Sequence, residues 1–128
     1  MLLIDKPYRW TSFDVVNKLR NSIKQITGKR YKIGHAGTLD PLATGLLIIC
    51  YGKETKSISQ FMDFEKEYIA TFLLGSTTPC FDLEKPVDKH FSYEHITEEM
   101  VKNILIEYTG EQEQIPPVGH ADDRAPAR

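Results

Sequence analysis

Cysteine is scarce: Cys50 and Cys80 are the only two in 128 residues, and they stand thirty positions apart. That spacing makes neither a metal-binding pair nor a disulfide framework, so a reducing, cytoplasmic setting is the default expectation. Long apolar runs are absent. Leu46-Leu47-Ile48-Ile49-Cys50-Tyr51 is six residues long, against the ~20 of a membrane-spanning helix. No charged leader followed by a long apolar stretch opens the chain, so no signal peptide is expected. Internal repeats and low-complexity tracts are lacking too. Net charge is only −2, which taken alone does not point to nucleic acid. The 41% of apolar residues fits a globular chain, and 128 residues suffice for one modest domain.

A local absence reverses the charge argument. Between Val15 and Leu39 there is no acidic residue, but there are six basic ones: Lys18, Arg20, Lys24, Lys29, Arg30 and Lys32. From Asp63 to Glu113 twelve acids face four bases, a local charge of −8. A positive stripe can hold a phosphate backbone even on a slightly acidic chain. The plain alternative is a solvated helix face.

Periodicity predicts the elements. Leu2 to Asp5 reads as a short strand. Thr11 or Ser12 caps a helix, with Asp14 placed for a capping box. Phe13, Val16, Leu19, Ile23 and Ile26 follow at helical spacing, and Gly28 stops the helix. Lys18, Arg20 and Lys24 then lie off the apolar stripe. Leu46 to Tyr51 reads as a buried strand, and a short helix is expected over Glu54–Phe61. Tyr68 to Leu74 reads as a strand. Thr97 caps a third helix that begins with Glu98 and Glu99. Its predicted buried face is Met100, Val101, Ile104, Leu105 and Tyr108, and Gly110 ends it. Glu111 to Ile115 starts another strand. Strands and helices without regular βαβ spacing argue for an α+β fold with a mixed, mainly antiparallel sheet and flanking helices.

The densest chemistry lies in Gly34-His35-Ala36-Gly37-Thr38-Leu39-Asp40-Pro41-Leu42-Ala43-Thr44-Gly45. These twelve residues hold one acid, one imidazole, two hydroxyls and three glycines. Pro41 fixes its own φ and biases Asp40 toward an extended backbone. The segment reads as a shaped loop that presents a carboxylate beside a core strand. The bland reading is an Asp-Pro turn. Thr38 and Thr44 fit a scaffolding role. His90 and His95 have no further ligand spaced to complete a metal site, so no metal is expected.

This loop resembles the catalytic-aspartate motif of the TruB-type tRNA pseudouridine synthases, close to Gly-His-x-Gly-x-Leu-Asp-Pro-x-Ala-x-Gly. Leu2-Leu3-Ile4-Asp5-Lys6-Pro7 and Trp10-Thr11-Ser12-Phe13-Asp14-Val15-Val16 resemble the opening of the same family. Lys66-Glu67-Tyr68 matches its Lys-x-Tyr element. Leu74-Gly75-Ser76-Thr77-Thr78-Pro79-Cys80-Phe81-Asp82 and Gln114-Ile115-Pro116-Pro117 resemble later blocks. The likeness covers residues 1 to about 117 in unbroken order.

The resemblance implies an α+β pseudouridine synthase fold and a reaction on the T-loop uridine of tRNA, with the T arm as partner. It implies no cofactor. Asp40 takes the catalytic role, acting at the ribose as nucleophile or base. His35 and Tyr68 take substrate-binding roles, the tyrosine stacking on the displaced base. Lys6, Lys18, Arg20, Lys24, Lys29, Arg30 and Lys32 are left as phosphate-directed or structural.

After Pro117 the family pattern stops. The family continues with a Ser-Ala-x-Lys segment, and its later half supplies an arginine partner for the aspartate and a second tyrosine. Residues 118–128 match none of this. They are expected to form a divergent, disordered tail behind an incomplete catalytic domain over 1–117. The alternative function is a catalytically dead RNA-binding fragment.

Overall fold

The computed structural model describes residues 1–113. Two units divide the chain, the first spanning Met1–Tyr68 and the second beginning at Ile69. Gln114-Ile115-Pro116-Pro117 and the expected tail lie outside the described residues.

In the first unit, the apolar run after the glycine-rich loop becomes β3 (Gly45–Tyr51), the centre of a three-stranded antiparallel sheet. β1 (Leu2–Lys6) pairs with it so that Ile4 faces Leu47 and Lys6 faces Gly45. β2 (Ile33–Ala36) pairs on its other edge, Ile33 facing Tyr51 and His35 facing Ile49. Alternate residues of a strand point to opposite faces. Leu47 and Ile49 are buried against α1 (Ser12–Thr27), with Val15, Val16 and Ile33 completing the core. Ile4, Leu19, Ile23 and Leu39 pack at its margin. On the opposite face of β3 Leu46 is exposed and Ile48 half-buried, whereas Cys50 is fully buried, so that face is covered only toward the end of the run.

The ends of α1 follow from its sequence. The Thr11 hydroxyl accepts the Asp14 N–H (3.0 Å), and the Asp14 carboxylate accepts from the Thr11 N–H (2.9 Å) and hydroxyl (2.7 Å). These bonds hold the Asp14 carboxyl below its ordinary range, the hydroxyl contributing most. Gly28, at φ 69°, closes the helix by donating its N–H to the Lys24 carbonyl (2.9 Å). The apolar stripe is shifted from expectation. Val15 and Val16 are buried, whereas Phe13 and Ile26 are exposed. The Arg20 guanidinium covers the Phe13 ring instead, 5.5 Å from its centroid.

Beyond β3, a 3₁₀ segment (Gly52–Ser57) runs into α2 (Ile58–Met62), a finer division of the expected Glu54–Phe61 helix. Lys66 Nζ donates to the carbonyls of Met62 (2.5 Å) and Phe64 (2.8 Å), capping that end. Cys50 is fully buried, and desolvation pushes its thiol above its ordinary pKa.

In the second unit, β4 (Ser76–Thr77) and β5 (Lys89–His90) form a two-stranded antiparallel ribbon. α3 (Glu98–Glu107) is capped by the Thr97 hydroxyl, which accepts the Met100 N–H (3.2 Å). Its expected buried face is not buried: Met100, Val101, Ile104, Leu105 and Tyr108 are all exposed. The expected Tyr68–Leu74 strand is not formed either, since residues 65–73 carry no regular structure and Ile69 is 96% exposed. A strand needs a ladder partner for its N–H and C=O groups, and among the described residues β4 and β5 pair only with each other. Residues 111–113 are not strand. With its helices and, among the described residues, wholly antiparallel pairing, the molecule is α+β. No described helix is long and apolar enough to cross a membrane.

Candidate active-site loop

Residues 37–44 connect β2 to β3, and Gly37 (φ 101°) and Gly45 (φ 117°), the first residue of β3, turn the chain at either end. Both angles lie in the region that side chains with a Cβ rarely adopt, so glycine is required there. Between them Asp40 opens a turn closed by the Ala43 N–H on its carbonyl (3.0 Å), with Pro41 as the next residue.

The two neighbours of Asp40 are anchored, each by a different part of the unit. Leu39 packs its side chain against the core. Its N–H donates to Ser12 Oγ (2.9 Å), and that hydroxyl donates back to the Leu39 carbonyl (3.2 Å). Ser12 is buried at the first turn of α1, 27 positions away in sequence. On the other side, the Pro41 carbonyl accepts the Arg9 N–H (2.8 Å) and Lys6 Nζ (3.4 Å). Arg9 holds φ 64°, an uncommon angle for a residue with a side chain.

Lys6 is fully buried, and its ammonium also donates to the carbonyls of Trp10 (2.5 Å) and Pro7 (3.2 Å). A buried charge is costly unless hydrogen-bonded. Three carbonyl dipoles meet that need here and tie the strand end, the Pro7–Trp10 turn and the loop together. Among its two sequence-based roles, this geometry is the structural one.

Asp40 itself is exposed, and its side chain makes no hydrogen bond or ion pair among the described residues. A carboxylate on a loop fixed at both flanking residues is aimed without being consumed by its own scaffold. His35 sits half-buried near the end of β2, its Nδ1 2.5 Å from the Gly37 carbonyl. A carbonyl only accepts, so Nδ1 carries the proton and Nε2 is left for another partner. Tyr68 is 70% exposed, and its hydroxyl makes no hydrogen bond among the described residues.

Of the basic residues, Arg20 donates to the Ile33 carbonyl (2.6 Å) and so braces α1 against β2. Arg20, Lys24, Arg30 and Lys32 line one cleft. Lys18 and Lys29 are exposed outside it. No group of three or more His, Cys, Asp or Glu among the described residues could hold a metal ion.

Sequence reasoning missed Ser12 and Arg9 as supports of the loop. Ser12 stood in a recognised motif, but nothing local connects it to Leu39. The positive φ of Arg9 has no signature in an arginine.

Comparison with known proteins bears on this loop. The family model described as "TruB family pseudouridylate synthase (N terminal domain)" matches residues 23–123. The chain is 58% identical over 119 residues to a protein of Phocaeicola vulgatus called tRNA pseudouridine synthase B, covering 92% of this chain and 51% of that protein. Proteins of the same name from Parabacteroides distasonis and Chlorobium luteolum are 53% and 47% identical, over 92% and 94% of this chain and 51% and 41% of theirs. The chain thus spans about half the length of the curated relatives it matches.

Proposed function

The chain belongs to the TruB family of pseudouridylate synthases, and on that premise we propose that it acts on tRNA, converting the T-loop uridine to pseudouridine with Asp40 as the catalytic residue. The observation that carries this reading is the anchoring of Leu39 and Pro41 on either side of Asp40, which holds the carboxylate in a fixed place on the loop.

The reaction is an isomerisation. The bond from ribose C1′ to uracil N1 breaks, the base turns, and C5 bonds to C1′. The C5 proton is lost and N1 gains one, so no oxidant, cofactor or metal is required. The enzyme must supply an electron pair at the ribose, and a carboxylate forms and releases such bonds at an anomeric carbon. The uridine first leaves its stack, at about a few kcal/mol. His35, through Nε2, and Tyr68, through its ring, hold it there. A cytoplasmic setting belongs to the same proposal and is consistent with two unpaired cysteines.

A second reading, an RNA-binding chain without catalysis, is favoured by one observation: no cation pairs with Asp40 among the described residues. Pseudouridine formation in an unmodified tRNA transcript separates the two. Product from this chain and none from Asp40→Ala supports the enzyme. RNA binding without product from either leaves the second reading.

A further inference from the structure

The cleft at the C-terminal end of α1 has a volume of about 350 Å³ and is lined by Arg20, Asn21, Lys24, Arg30, Tyr31 and Lys32. Four of its six lining residues are cationic and none is acidic. The last turn of α1 contributes a partial negative charge of roughly half a unit, which these cations far exceed. None of the four forms an ion pair among the described residues, where the only one is Lys102 with Glu98. Like charges are thus gathered around a concavity with no carboxylate to neutralise them. A solvated helix face needs no such gathering, and Arg30, Tyr31 and Lys32 do not belong to the helix at all. The set also combines charge with an aromatic ring and an amide, Tyr31 and Asn21.

We propose that this cleft is a second RNA contact: backbone phosphates lie on Lys24, Arg30 and Lys32, with Arg20 as a fixed member, and an unpaired base stacks on Tyr31. Phosphate recognition by Lys and Arg with base stacking on an aromatic ring is the chemistry of single-stranded RNA binding. Arg20 is pre-oriented by its bond to the Ile33 carbonyl, which leaves other guanidinium donors for a phosphate. The cleft lies at the start of β2 and the Asp40 loop at its end. Ser12, bonded to Leu39 beside Asp40, precedes the cleft residues Arg20 and Lys24 on the same helix by about 12–18 Å at the helical rise, a span that one RNA strand can cover. The inference rests on the RNA-substrate reading but not on the chemistry of Asp40.

The test is binding of an unmodified tRNA transcript to the whole chain over a range of salt concentrations, with pseudouridine formation measured in parallel. Lys24→Glu with Lys32→Glu lowers affinity by about tenfold or more and reduces the magnitude of the salt slope by about 2, roughly one per cation. Lys53→Glu with Lys56→Glu, an equal charge change elsewhere in the same unit, has a much smaller effect. Tyr31→Ala weakens binding by about fivefold or more with the salt slope unchanged. Circular dichroism melts confirm that each variant is folded. If both charge-reversed pairs reduce affinity and slope equally, or no RNA binds at low salt, the cleft is not a contact. Cleft-dependent binding without product would instead retain the cleft and remove the catalytic reading.

Discussion

Residues 1–68 and residues 69–113 contain similar kinds of apolar residue and use them differently. In the first region Val15, Val16, Ile33, Leu47 and Ile49 close on one another between a sheet and a helix. In the second, only Thr78 and Cys80 are buried, while Phe72 is 80% exposed and the apolar residues of α3 face solvent. Both regions have well-formed local devices. Thr97 caps α3 much as Thr11 caps α1. Capping and amphipathic spacing therefore specify where a helix starts and which stripe is apolar, and say nothing of whether a partner covers that stripe. Most helical stability in proteins comes from packing of the apolar face, and the first region alone among the described residues supplies it.

The largest expected contrast is in the cores. Leu47→Ala removes a fully buried side chain and is expected to cost about 2–5 kcal/mol. Leu105→Ala changes an exposed one and is expected to stay within about 0.5 kcal/mol. Trp10, the single tryptophan, reports on the first region by fluorescence, and circular dichroism follows the whole chain during urea unfolding. Equal losses in the two variants would erase the distinction between the regions.

Lys6→Met comes next. It keeps the aliphatic stem but removes the ammonium that the Pro7, Trp10 and Pro41 carbonyls share, leaving Pro7 and Pro41 with backbone donors only, at an expected cost of about 2 kcal/mol. The same fluorescence melt reads it, and an unchanged midpoint would mean that the ammonium does not hold the loop.

Thr11→Ala is smaller, about 1 kcal/mol for a lost helix cap. Its companion is a pH effect. The Asp14 carboxyl is held below its ordinary value of 3.8 by the Thr11 hydroxyl and then by the Thr11 N–H. A carboxyl depressed in the folded state stabilises above its ordinary value and loses that contribution as pH falls through the depressed one. Wild type is therefore more stable than Asp14→Asn near neutrality, and the gap closes as pH drops below about 3.8. A gap independent of pH would show that the capping box carries no charge-dependent stability.

Much of the first region was legible in the sequence because its signals are local. The strand before Lys6-Pro7, the Thr11–Asp14 box, the Gly28 stop and the apolar run of β3 all depend on neighbours in the chain. The shift of the α1 stripe from Phe13 to Val15 was not legible, because spacing alone admits both. Contact with Leu47 and Ile49 selects Val15, and Arg20 gives Phe13 a cover at the surface. The face of α3 and the Tyr68–Leu74 strand were misjudged for one reason: each needs a partner that no local pattern encodes. In the candidate site, the loop, His35 and Asp40 were visible as a motif. The bonds that fix the loop were not, since Ser12 meets Leu39 across 27 positions and Lys6 meets Pro41 across 35.

The most direct measurement is native-state hydrogen exchange at three amides. Leu39 N–H is bound by Ser12 and Arg9 N–H by Pro41, whereas Val101 N–H opens the ladder of α3 on the Thr97 carbonyl. A loop held by the core requires Leu39 and Arg9 to exchange nearly as slowly as the amides of β3, with Val101 far faster. Fast exchange at Leu39 and Arg9, matching Val101, would contradict a pre-fixed Asp40.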